Sequence, residues 1–384
     1  MGLVLPGLLF FLVMFVWPIA QMLSHAVYSP EVQIALPRTV AAMADWDVTT
    51  PPSDAIADAL ILDLKNADRG DLASAARRLN YEQSGFRAAL LKTAREVRRS
   101  DGAKGYQALL DADKDWADLA RWRVLRSAGS AYTSYYLLTA LDLEKRPDGS
   151  IGRVPGDRAL FVTVILRTLW LSLVVTVICL FLAFPVSYTI ASAKPGRQAL
   201  LMLLILLPFW ISLLVRSSAW VILLQDNGLV NTALLKLGII TEPVQLIFNR
   251  TGVYIGLVHV LLPFMVLPIT NAMRAVPKDY VRAAFSMGAS APRALFQVYL
   301  PQIWPGVAAG SLLTFVICVG YYVTPLLIGG NQDQMLSYFI AFYTNQSVNW
   351  GLASALSAVL CAIMLLLMGL YALVPRRGGT TAGR

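Results

Sequence analysis

Residues 276–306 read VPKDYVRAAFSMGASAPRALFQVYLPQIWPG. Pro277 and Asp279 suit a helix start. A missing N–H costs nothing in the first turn, and an acid favours the positive end of the helix dipole. Tyr280, Ala283, Ala284 and Met287 then recur on one helical face. Gly288, followed by Ala289, supplies the left-handed conformation that closes such a helix. Ala291-Pro292 opens a second helix whose apolar stripe is Leu295, Phe296, Tyr299 and Leu300. Pro301 and Pro305 are expected to break it. Two physical readings stand for this pair of short helices. They form a folded plug for a groove on a partner, or they lie on a bilayer surface.

Working outward, apolar runs flank the stretch on both sides. A bilayer-spanning helix needs about 20 mostly apolar residues. Six runs qualify: Gly2 to Leu23, one within Leu160 to Ala191, one within Ala199 to Leu224, Val253 to Met273, Gly306 to Ile328, and Leu352 to Val374. The 384 residues have a mean hydropathy of +0.60 and are only 14% charged, too little to cover a soluble protein of this size. The charge is also uneven. Residues 25–158 hold 19 Lys/Arg against 19 Asp/Glu, whereas the other 250 residues hold 13 against 4, so the whole net charge of +9 lies in the apolar part. The expected fold is an all-α membrane protein with six transmembrane helices and a water-soluble helical insert.

Orientation follows from the short loops, because basic loops stay in the cytoplasm. Lys194 and Arg197 lie in one; Arg274, Lys278, Arg282 and Arg293 lie in another against Asp279; Arg376, Arg377 and Arg384 lie at the end. The segments 225–250 and 329–350 carry no positive excess. The reading places both termini in the cytoplasm and the insert in the periplasm. It divides the chain into a first transmembrane helix (1–24), a periplasmic helical insert (25–158), a five-helix core (159–375) with a cytoplasmic loop (274–304), and a cytoplasmic tail (376–384). The first run is read as an anchor, since it has no basic n-region and is too long for a signal-peptide core. The basic excess sits in loops between spans and not on one soluble face, which argues against nucleic acid. Cys179, Cys318 and Cys361 all fall in apolar runs, where Cys behaves as a small hydrophobe.

Within the insert, Thr49-Thr50-Pro51-Pro52-Ser53-Asp54 reads as a helix start, followed by Ile56, Leu60, Ile61 and Leu64 at helical spacing. Leu72, Ala76 and Leu79 continue the pattern, as do Phe86, Leu90, Leu91 and Ala94. Arg95, Arg98 and Arg99 form a charge run, either a docking surface or a solvated helix face.

The 276–306 stretch resembles the EAA loop of ABC-importer permeases, whose form is Glu-Ala-Ala, three residues, Gly, then nine residues to an Ile-x-Leu-Pro ending. Ala283, Ala284, Gly288, Val298, Leu300 and Pro301 stand in register with it. Arg282 stands where the family usually has Glu. The resemblance runs from Arg158 to the last span. Leu207 to Trp220, Gly228-Leu-Val-Asn231 and Leu262 to Pro268 are similar to the spermidine/putrescine branch of these binding-protein-dependent, MetI-like type I permeases. It implies a permease subunit paired with a second permease, identical or paralogous, an ABC ATPase dimer and a periplasmic solute-binding protein. It also implies that residues 277–301 couple to the ATPase, through Tyr280, Arg282, Ala283, Ala284, Gly288, Ala289, Phe296, Leu300 and Pro301. No Gly-x-x-x-x-Gly-Lys-Ser/Thr loop occurs in the sequence, so ATP is hydrolysed by a partner and no cofactor is expected on this chain. The implied cargo is a polyamine. Ferric iron, thiamine, phosphonate and opine remain alternatives within the class.

Inside the spans, charge is costly and marks function by default. Arg216 is the clear case, near Trp210 and Trp220 in the sequence, with Asp226 beyond it. Arg216 reads either as a gate or as a snorkelling residue paired with a backbone carbonyl. With Tyr321 and Tyr322, these residues are the candidate translocation path. Trp210, Trp220, Tyr254, Tyr321 and Tyr322 offer aromatic faces to a cation. His259 reads as an interhelical hydrogen-bond partner. Neither the charge pattern nor the repeats expected of a secondary transporter appear.

Overall fold

The computed structural model describes residues 4–100, 102–146 and 149–373. The basic tail from Arg376, used above for orientation, lies outside them. The chain divides into two compact units, Met1–Arg153 with Asn349–Ala358, and Val154–Val348 with Val359–Arg384.

The first unit begins with the exposed apolar helix Leu5–Ser24. Behind it the insert is built from helices Glu31–Ala35, Pro37–Ala42, Asp54–Asn66, Arg69–Glu82, Phe86–Arg99, Gly105–Ala112, Leu119–Ala128 and Tyr135–Ala140. Ile56, Leu60, Ile61, Leu64, Leu72, Ala76, Leu79, Phe86, Leu90 and Ala94 are all buried, as their spacing requires, while Leu91 is half-buried at the edge of the same core. Trp116 and Trp122 fill the centre, with ring centroids 5.0 Å apart. Each indole N–H is satisfied, Trp116 donating to Thr93 Oγ1 at 2.8 Å and Trp122 to the Trp116 carbonyl at 2.9 Å, as buried indoles require. Asp63, also buried, accepts from Thr39 N at 2.7 Å and Thr39 Oγ1 at 2.8 Å. The insert is not wholly helical. Leu143–Lys145 pairs antiparallel with Ile151–Arg153, and Ser29 N donates to Ala131 O at 2.8 Å beside a Tyr28–Tyr132 bridge. The arginine run is mostly structural. Arg98 donates to the Leu64 and Ala67 carbonyls at the end of a neighbouring helix, and Arg99 pairs with Glu96.

In the second unit the helices Phe161–Ser192, Arg250–Ala275 and Ala291–Gly320 pack together around Leu171, Val175, Cys179, Leu257, Leu261, Met265, Ile269, Ile303 and Val307. Small residues permit the approach. A Cβ on Gly306 would meet Ala272 Cβ and the Pro268 carbonyl, and one on Gly310 would meet Met265. Gly306 and Gly310, one turn apart, thus let the two helices approach closely. The opposite side of the second span shows Leu166, Trp170, Leu173, Val177 and Phe181, an exposed apolar stripe.

Three expectations are corrected. The third span is not one helix: Pro195–Trp210 and Leu213–Lys236 meet at 96°. Pro208 leaves a backbone acceptor without its donor, and the chain turns through a 3-10 segment, Leu207–Trp210, before Ile211 and Ser212 become extended. The fifth span does not run from Gly306 to Ile328. Its helix begins at Ala291 and stops at Gly320, and a separate helix, Val323–Ile328, follows Tyr321 and Tyr322. Pro301 and Pro305 do not break that helix. A π-helical turn, Leu295–Tyr299, widens the register just before Pro301, with Leu300 N bonded to Leu295 O, so the missing proline N–H is absorbed at the first turn of the following α-helix. Segment 329–350 also contains a helix, Leu336–Asn345.

Candidate functional site

The hairpin after the fourth span is held by backbone geometry. Its first helix is Lys278–Ser286, with Pro277 at the N-cap position and Asp279 in the first turn. At its end Met287 N donates to Ala283 O at 3.0 Å, Gly288 N to Phe285 O at 2.9 Å and Ala289 N to Ala284 O at 3.0 Å. With Gly288 at φ +81°, this is a Schellman closure, the structure the sequence requires of a glycine here. The second helix opens at Ala291 with Pro292 in its first turn and runs into the fifth span.

Burial sorts the hairpin's side chains. Ala284 is buried and Val281 half-buried, so they mark the side against the rest of this unit. Tyr280, Phe285, Met287 and Phe296 stay exposed, Met287 at 81%. The predicted single face is therefore split: Ala284 faces inward while Tyr280, Ala283 and Met287 face out. Leu295, Tyr299 and Leu300 are half-buried, Tyr299 meeting Tyr188 edge-on at 6.5 Å; Ala289 is half-buried and Pro301 exposed. Arg282 is exposed and lies 3.4 Å from Asp279. At the hairpin's base Arg274 donates from Nε and Nη1 to the Gln198 amide oxygen, at 3.1 and 3.0 Å, with that amide oriented to accept.

A second cluster forms where the two interrupted spans meet. Arg216 is buried, and its Nη2 donates to the Ile211 carbonyl at 2.9 Å, across the break in its own span. The carbonyl-paired reading of Arg216 thus describes its geometry, although Nε has no hydrogen-bond partner among the described residues. At the next residue, Ser217 Oγ and Thr324 Oγ1 lie 3.5 Å apart. Trp220 Nε1 donates to His259 Nδ1 at 3.2 Å, which gives His259 the interhelical bond expected of it. Tyr321 is half-buried at the other break and Tyr322 is exposed beside it. The structure does not bring Trp210 or Asp226 into this cluster: both are exposed, Trp210 at 87%.

Sequence reasoning missed the polar ties at the far ends of these spans. Arg250 Nε pairs with Asp333 Oδ1 at 3.1 Å, and buried Asp333 also accepts from Gly330 N. Buried Asn231 accepts from Val244 N at 3.0 Å and donates to the Gln225 and Val244 carbonyls. Thr168 Oγ1 accepts from Leu336 N at 2.8 Å. Asp333 as the single acid of 329–350, and Arg250 at the mouth of the fourth span, were the available signals. No group of His, Cys, Asp or Glu fit to hold a metal occurs among the described residues.

The family described as "Binding-protein-dependent transport system inner membrane component" matches residues 151–378, leaving most of the insert outside. The spermidine/putrescine transport system permease protein PotB of Haemophilus influenzae is 33% identical over 212 residues, 55% of this chain and 74% of that protein. The inner membrane ABC transporter permease protein YdcU of Escherichia coli is 29% identical over 272 residues, 65% of this chain and 83% of that protein. A chain in the crystal structure of a bacterial alginate ABC transporter, in complex with an alginate pentasaccharide-bound periplasmic protein, superposes with a TM-score of 0.46 at 18% identity, covering 55% of this chain and 76% of that one.

Proposed function

We propose, since this chain belongs to the family of binding-protein-dependent transport system inner membrane components, that it forms half of the path by which an importer carries a polyamine such as spermidine or putrescine across the bacterial inner membrane. It is a multi-pass permease subunit of an ABC importer. A second permease subunit completes the path, an ABC ATPase dimer supplies the energy, and a periplasmic solute-binding protein delivers the cargo. Residues 277–301 couple to the ATPase from the cytoplasmic side, and residues 25–158 lie in the periplasm.

One observation carries the coupling role: a hairpin locked by a Schellman turn leaves Tyr280, Phe285, Met287 and Phe296 exposed along its two arms and turn. Several large apolar side chains left exposed on one short hairpin mark a surface meant for burial. What supports the cargo is the likeness to the PotB permeases. Among the described residues of the second unit, Asp333, in the turn before Leu336–Asn345, is the buried carboxylate, and Arg250 pairs with it. A cation would therefore be met by aromatic faces such as Trp220, Tyr321 and Tyr322, with selectivity resting on the binding protein.

The test is uptake in vesicles that hold the whole importer. Gly288→Val forces a β-branched residue into the left-handed region. The variant should insert normally and lose uptake; uptake at the unmodified level would overturn the coupling role. Competition of spermidine and putrescine for the binding protein decides the cargo, and failure of both to bind removes the polyamine. A membrane-impermeant maleimide added outside should label Ser100→Cys and spare Ser286→Cys. The reverse pattern would overturn the orientation.

A further inference from the structure

We infer that the ATPase surface receiving this hairpin presents carboxylates opposite Arg282. The inference rests on the coupling role proposed above and adds the chemistry of the partner's side.

A helix turns about 100° per residue. In Lys278–Ser286 the inward direction is set by buried Ala284 and half-buried Val281. The opposite direction, the centre of what the hairpin shows a partner, falls on Asp279 and Ser286, with Arg282 and Ala283 about 50° to either side of it. Tyr280 and Met287 flank that centre on one side and Phe285 on the other, all exposed. A guanidinium thus stands inside an apolar rim, close to its centre, where docking strips water. Asp279 does not satisfy it. That contact is a single 3.4 Å approach between side chains 76% and 87% exposed, and such pairs hold little. The rest of the hairpin adds Lys278 and Arg293 and no further acid.

A guanidinium buried without an acceptor would oppose docking, and its planar fork is matched by a carboxylate. An anionic bilayer is the competing occupant. A helix lying on a bilayer gathers its apolar side chains on one face and its cations on the other. Here apolar side chains stand on both flanks of Arg282, and the side between them that would have to enter lipid is turned into the chain at Ala284.

The experiment uses the assembled importer in vesicles and reads cargo-stimulated ATP hydrolysis. Arg282→Glu should lower it about tenfold or more, as like charges brought together at a docked surface do, and Arg282→Gln should lower it less. In an Arg282→Lys complex, carbodiimide should join residue 282 to an Asp or Glu of the ATPase, a cross-link absent from the unmodified complex. Unchanged hydrolysis by Arg282→Glu, or a cross-link only within this chain, overturns the inference. So does an effect of Arg282→Glu seen in phosphatidylglycerol vesicles and absent in phosphatidylcholine, which would assign the cation to lipid. Met287→Asp separates the two claims. If it leaves hydrolysis unchanged, the coupling role itself fails. If it abolishes hydrolysis while Arg282→Glu is silent, only the carboxylates are lost.

Discussion

Gly306 and Gly196 are the same residue type in opposite surroundings. A Cβ on Gly306 would collide with Ala272 and the Pro268 carbonyl, whereas one on Gly196 meets nothing within 4 Å. Gly306→Ala should therefore destabilise the packed spans by about 1–3 kcal/mol, the usual cost of overpacking, and Gly196→Ala should be neutral or slightly favourable. Thermal unfolding of the detergent-solubilised protein checks both; equal melting temperatures would contradict the packing. In the insert, Thr93→Val keeps the shape of the side chain and removes the acceptor of the Trp116 indole. Leaving that buried N–H unpaired should cost about 1–3 kcal/mol, read as a lower denaturation midpoint. Gly351 is another tight position. A Cβ there would enter the ring of buried Tyr136, whose phenol burial pushes well above its ordinary value.

At the scale of elements, the interruptions are the informative features. The 96° turn leaves the Ile211 carbonyl free of its own helix, and Arg216 reaches back five residues to take it. The π-turn at Leu295–Tyr299 does a different service: it adds a residue to the turn before Pro301, so the hairpin's second helix and the fifth span stay one continuous helix. Pro301→Ala restores a donor there and permits the ordinary register. Tightening that turn by one residue would rotate the hairpin by about 100° relative to the fifth span. The expected outcome is slower amide exchange across 295–300 together with reduced cargo-stimulated ATP hydrolysis. Exchange that slows without any change in hydrolysis would show that the hairpin's rotational setting is immaterial.

At the scale of the molecule, the charge balance of 25–158 and its separate apolar core describe a body that can fold in water. A fragment of residues 25–146 should give a helical far-UV circular dichroism spectrum and one cooperative unfolding transition. Trp116→Ala in that fragment should cost about 3–5 kcal/mol, as truncation of a buried aromatic does. A broad, non-cooperative melt of the unmodified fragment would contradict the independent core. The unit around the insert also includes Asn349–Ala358, the first turns of the last span.

Local chemistry alone determined a good deal: the apolar runs that need lipid, the soluble insert with its buried stripes, the Gly288 turn, the second helix's start at Ala291-Pro292. Each depends on residues within a few turns of one another, where periodicity and backbone sterics act directly. Only the tertiary structure decided that the third and fifth spans are interrupted, that Pro301 sits in an unbroken helix, that Ala284 turns inward while Arg282 turns outward, and that Arg250 finds Asp333. The reason is physical. A proline in an apolar run says that a hydrogen bond is lost, but whether the chain bends, widens or continues depends on what distant residues offer in its place. Likewise a helix has no inside until something packs against it.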